Sequence, residues 1–91
     1  MQIWKYPIEA TGEQILEVPK GAIFLTVQTQ RGTPQIWALC EPDEPKERRM
    51  IAMYGTGHLI PSNPGKYIGT FQIGDGKLVF HIFEPELEVT P

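Results

Sequence analysis

The chain of 91 residues is 41% apolar and 21% charged, a size and balance that fit one globular domain, 1–91, with a single small hydrophobic core. Its formal net charge of -3 offers no general field for DNA or RNA, and its one cysteine, Cys40, excludes an internal disulfide framework and a cysteine-ligated zinc. No apolar run approaches the roughly 20 residues that span a bilayer, and no charged-then-apolar leader opens the chain, so the expected setting is cytoplasmic, with no membrane partner.

Period-two alternation predicts short strands at about 2–8, 13–18, 23–30, 34–41, 48–54, 66–73 and 77–84. The first two are separated by "TGE", and the second ends at "PKG". In "AIFLTVQTQ" the alternation puts Ile23, Leu25 and Val27 on one face and Phe24, Thr26 and Gln28 on the other. The turn in "QRGTPQ" reads as a hairpin connection with Arg31 facing solvent, because glycine takes the positive φ such turns need. In the next strand, "IWALC" marks Cys40 as a small buried hydrophobe. The acidic part of "EPDEPKERR" reads as a solvated loop, whereas Arg48 and Arg49 carry guanidinium forks suited to a phosphate or carboxylate. Alternation turns those two to opposite faces, so one of them at most lines a given pocket.

The run "GTGHLIPSNPGKYIGT", residues 55–70, departs most from plain scaffolding. No Gly-Lys-Ser/Thr follows "GTGH", and "LIPSNP" cannot begin a helix, which opposes a nucleotide-hydrolase loop. The alternatives are a glycine-dependent bulge or a place where a ligand approaches the backbone closely. His58 is the candidate acid–base group, but no Gly-x-Ser-x-Gly, His-x-x-x-His or paired acidic motif supplies a partner. Nothing implies a cofactor, and a metal would need carboxylates from afar. "GDGK" reads as a second hairpin, and "KLVFHIF" divides into Leu78, Phe80 and Ile82 against Val79, His81 and Phe83. Both faces of that strand look covered, which makes His81 a hydrogen-bonded core histidine.

No helical apolar stripe lasts three turns, and nine prolines and nine glycines oppose long helices. The fold class is therefore all-β, a small antiparallel β-sandwich or barrel of about seven short strands. Unpaired strand edges and a surplus of aromatic side chains favour a homo-oligomer.

The succession "VPKGA", "VQTQRGTPQIWAL", "GTGH", "YIGTFQ" and "GKLVFHIFE" resembles a family of short phage-encoded proteins of uncharacterised activity, over Lys5 to Glu84. By analogy with other short phage proteins that are oligomeric sponges for nucleotide signals of bacterial defence, the resemblance implies a sequestering role in the host cytoplasm. A small nucleotide-derived ligand needs an aromatic face, phosphate donors and polar groups for ribose. Trp37, Tyr54 or Tyr67 offer the face. Gly55, Thr56, Gly57 and His58, with Arg48 or Arg49, offer the phosphate contacts. Thr70, Gln72 and Gln28 offer groups for hydroxyls. The competing classes are a structural or protein-interaction module, such as a virion accessory or host-protein inhibitor, and a small hydrolase using His58.

Overall fold

The computed structural model describes residues 1–86, so the last five residues of the expected 1–91 domain lie outside the described residues. Seven strands form: β1 (Gln2–Pro7), β2 (Glu13–Pro19), β3 (Ile23–Gln30), β4 (Thr33–Cys40), β5 (Lys46–Gly55), β6 (Lys66–Ile73) and β7 (Leu78–Glu84). They pair antiparallel in two sheets, β1-β4-β3 and β2-β5-β7-β6, giving an all-β sandwich only 16 Å across its thin dimension. The chain crosses between sheets at β1–β2, β2–β3 and β4–β5, so neither sheet can complete itself from consecutive strands.

Alternate residues of each strand point into the space between the sheets. Ile36, Ala38 and Cys40 from β4 meet Ile51 and Met53 from β5 and Ile82 from β7, with Val18, Phe24 and Phe71 filling around them. Cys40 is fully buried there, as a small hydrophobe should be. Strict alternation fails on β3. The register against β4 shifts between Phe24 and Thr26, and this bulge lets Phe24 and Val27 both face the core. Ile23 and Leu25 are thereby turned outward, each 44% exposed, contrary to the expected grouping with Val27. On β7 the correction is similar. Ile82 is buried and Phe80 packs on the core, but among the described residues no layer covers the opposite face, so His81 is half-buried on the outside rather than a core histidine.

The sheets meet where β3 and β6, one edge from each, come together. Thr29 Oγ1 donates to the Gln72 carbonyl at 3.1 Å, and Gly69 lies against Val27. A Cβ on Gly69 would stand 2.8 Å from Val27 Cγ1 and 3.1 Å from its backbone nitrogen, so the approach requires glycine.

The other end is held by Arg49. Its Nε donates to Glu84 Oε2 at 2.5 Å and its Nη2 to Glu84 Oε1 at 2.9 Å, a bidentate pair between β5 and the end of β7. Its Nη1 donates to the Ala22 carbonyl at 2.8 Å and to Glu47 Oε2 at 3.2 Å, and the guanidinium carbon lies 4.8 Å from the Phe24 ring centroid. Glu47 in turn accepts from the Gly21 N–H at 2.9 Å, which ties the β2–β3 turn into the same group. The hydrogen bond to Glu84 foremost raises the Arg49 pKa above its ordinary value, so the side chain is a permanent cation.

Two outcomes follow from this arrangement. Arg49→Ala leaves the Glu84 carboxylate and the Ala22 carbonyl without their donor, and chemical denaturation should record a loss of about 2–4 kcal/mol, with Arg49→Lys recovering only part because an ammonium cannot fork. The Glu47 carboxyl is held below the usual range, chiefly by the Gly21 N–H and then by Arg49. A depressed folded pKa contributes stability that is present above the unfolded value and lost as pH falls through the folded one. Thermal melts should therefore weaken on acidification through and below the ordinary glutamate range, and Glu47→Gln should flatten that dependence.

Candidate functional site

The outer face of the four-stranded sheet carries a line of polar groups that joins the two Gly-Thr pairs. The register places Tyr54 of β5 opposite His81 of β7, and His81 opposite Thr70 of β6. His81 therefore stands in the middle of the sheet. Its Nε2 is 2.7 Å from Thr56 Oγ1 and its Nδ1 is 2.9 Å from Thr70 Oγ1. Thr70 Oγ1 is also 2.5 Å from the Tyr67 hydroxyl. Four side chains thus form one hydrogen-bonded chain, Thr56–His81–Thr70–Tyr67. A register shift between Tyr67 and Gly69 re-aims Tyr67 so that its hydroxyl reaches back to Thr70.

The chain has a direction set by proton counting. A neutral imidazole has one donor and one acceptor nitrogen, so one threonine hydroxyl donates to the ring and the other accepts from it. In the protonated ring both nitrogens donate, and both hydroxyls accept. Each threonine then has its own proton to offer to another group. Beside this chain lies an aromatic cluster. Phe83 packs edge-on against Tyr54 at 6.0 Å and against Tyr67 at 5.4 Å between centroids. Tyr67 is 53% exposed, a half-open ring on an otherwise solvated sheet.

At the mouth of β5, Gly55, Thr56 and His58 line a cleft of about 190 Å³ with Lys77, Val79 and Phe80 among its walls. The Thr56 N–H donates to the Val79 carbonyl at 3.1 Å and the His58 N–H to the Gly55 carbonyl at 3.0 Å, so "GTGH" is a turn closed onto β7. Gly57 takes φ 86°, and a Cβ on Gly55 would be 2.9 Å from His58 Nδ1, so the imidazole folds back over bare backbone. Lys77 brings a cation to this cleft. No carboxylate is hydrogen-bonded to His58 or His81 among the described residues, and no group of His, Cys, Asp or Glu there is placed to hold a metal.

Of the residues singled out in the sequence, Thr56, Tyr67 and Thr70 come together, with Gly55, Gly57 and His58 at the adjoining mouth and Gln72 next along the outer face of β6. The arginines do not join them. Arg49 is committed to Glu84, Ala22 and Glu47 at the far end of the sandwich. Arg48 is exposed on the outer face of β5, opposite Glu17, and lies six residues, or ~20 Å, along the strand from Tyr54. Trp37 and Gln28 belong to the other sheet, so the Trp37 ring cannot serve this site. His81 and Lys77 were missed. His81 was hidden by apolar neighbours on both sides in sequence, and Lys77 by its place in a turn.

This hydrogen-bonded chain is exposed, so its groups can return to water when it is broken. His81→Ala should lower stability by only about 1 kcal/mol in urea denaturation, far less than a change in the core.

A family model described as a domain of unknown function (DUF7352) matches residues 1–90. No curated protein and no solved structure matches the chain.

Proposed function

The chain belongs to the DUF7352 family, and we propose that it is a small phage-type protein that binds and sequesters a nucleotide-derived signal of bacterial anti-phage defence, in the host cytoplasm and without catalysis. The observation that carries this reading is the junction of both Gly-Thr pairs through His81, beside a half-open aromatic cluster. Tyr67 and Phe83 provide π-faces for a base. The Thr56, Thr70 and Tyr67 hydroxyls suit ribose oxygens, since each can donate or accept. Lys77 and His58, in place of an arginine, stand at the cleft beside the "GTGH" turn, where a phosphate would meet their side chains. With no carboxylate among the described residues to orient either imidazole, the groups suit holding a ligand better than cleaving it.

A second reading, a protein-interaction module, has its own support. Ile3, Leu39 and Ile23 stand in one cross-strand row on the outer face of the three-stranded sheet, with Ile3 60% exposed at the edge strand β1. Such a row suits a contact with a second copy of the chain. Sequestration and self-association are compatible, as the row and the histidine lie on opposite faces of the sandwich.

The test is retention. The protein is incubated with bacterial nucleotide pools, freed of unbound material and denatured, and the released compounds are identified by mass spectrometry. The expected result is one nucleotide derivative released chemically unchanged, with retention weakened by roughly 1.5–3 kcal/mol in His81→Ala or Lys77→Ala variants that remain folded. Release of a cleaved product would make the protein an enzyme, and equal retention by both variants would place the ligand elsewhere.

A further inference from the structure

The opposite face of the sandwich holds a second polar site that shares no residue with the first. At the end of the β3–β4 hairpin, Lys5, Gln30, Arg31, Thr33 and Gln35 line a cleft of about 390 Å³, within the range of small-molecule sites. Its floor is Gln35. Alternation on β4 sends Ile36 and Ala38 to the core and Gln35 and Trp37 to the outside. Gln35 is nevertheless only 9% exposed, because Lys5 of β1 reaches over β4 and its Nζ donates to Gln30 Oε1 of β3 at 2.5 Å. The ammonium also sits 5.9 Å from the centre of the Trp37 ring.

Beneath this bridge the Gln35 Oε1 has no hydrogen-bond partner among the described residues, and neither has the Trp37 Nε1–H on the same face. A buried carbonyl oxygen without a donor is an unmet demand, and a hydroxyl from a ligand satisfies it.

Arg31 supplies the second cation. It occupies the first turn position of a two-residue loop with φ 51°, followed by Gly32 at φ 81°, the geometry of a type I′ turn. That position favours asparagine, aspartate or glycine, and a left-handed arginine is held there at a cost to folding stability. Arg31 has no ion-pair partner among the described residues. The cleft thus combines two cations, no lining carboxylate and an unpartnered acceptor in a chain whose total charge is -3.

We propose that this cleft binds a small organic oxyanion that carries a hydroxyl, with Lys5 leaving Gln30 to hold the anion together with Arg31 and so uncovering Gln35 Oε1 for the hydroxyl to donate to. The guanidinium fork fits either a carboxylate or a phosphate ester, and the ammonium adds charge without direction. An arginine in a turn that would be more stable with asparagine is what a binding function retains against folding stability.

Proton–nitrogen correlation NMR tests this, with the parent protein titrated by glycerol 3-phosphate, by glycerate and by uncharged glycerol. At least one of the two anions should move the Gln35 side-chain amide and Trp37 indole signals saturably, and glycerol should not. The tighter anion assigns phosphate or carboxylate. Arg31→Asn should melt at the same or a higher temperature than the parent while binding at least about tenfold more weakly, equivalent to ~1.4 kcal/mol. Lys5→Gln, which keeps a side chain able to bond Gln30, should weaken binding as well. The proposal is overturned if neither anion gives a saturable shift, if glycerol binds as well as the anions, or if either variant binds as tightly as the parent.

Discussion

One guanidinium decides how the two sheets can sit on each other. A sandwich this thin has a single layer of side chains between its sheets, and that layer is open at its ends to water. At one end the opening is closed by Arg49, which lies over the Phe24 ring and bonds Glu84, Ala22 and Glu47 at once. Its apolar stem and ring face seal the core as a hydrophobe would, while its fork satisfies a carboxylate that would otherwise be left half-buried and alone. Because Glu84 ends β7 and Ala22 precedes β3, the same cation fixes the position of strands from both sheets.

The division of labour between the ends explains why the two sequence-adjacent arginines fare so differently. A single residue of offset on a strand separates a sealed interior from open water. Arg49 falls on the inner side with Ile51 and Met53, and Arg48 on the outer side with Tyr54. Reading either arginine as a free donor for a pocket overlooks that the inner one has a carboxylate waiting thirty-five residues later. Nothing local in "KERRM" points to Glu84. That contact is a property of the sheet order β5-β7, which no short-range pattern encodes.

The strands themselves were legible, because alternation and turn chemistry are local. The β3–β4 hairpin follows from "QRGTPQ" and the β6–β7 hairpin from "IGDGKL", and the structure contains both. What the pattern hid were the two bulges. Inserting one residue near Leu25 exchanges the faces of Ile23 and Val27, and one near Ile68 brings Tyr67 to Thr70. The site was partly legible for the same reason. Thr56 and Thr70 could be named as hydroxyls beside glycines, but the imidazole that links them lies in a strand with apolar residues on both faces. Only the absence, among the described residues, of a third layer over the outer face of β7 reveals His81 as a surface group.

The order of pairing in the sheets also sets an order in time. β1 has no partner until β4 exists, and β2 none until β5, so the first strands synthesised must wait unpaired for the middle of the chain. The two-residue turn at Arg31 and Gly32 lets β3 and β4 close on each other first, since short loops close fastest. β5 then remains half-paired until the β6–β7 hairpin arrives and brings Glu84 with it. A nascent chain therefore carries open strand edges until the β6–β7 hairpin emerges. Premature release would expose those edges, and docking of the β6–β7 hairpin covers all but the outer edges at β1 and β2.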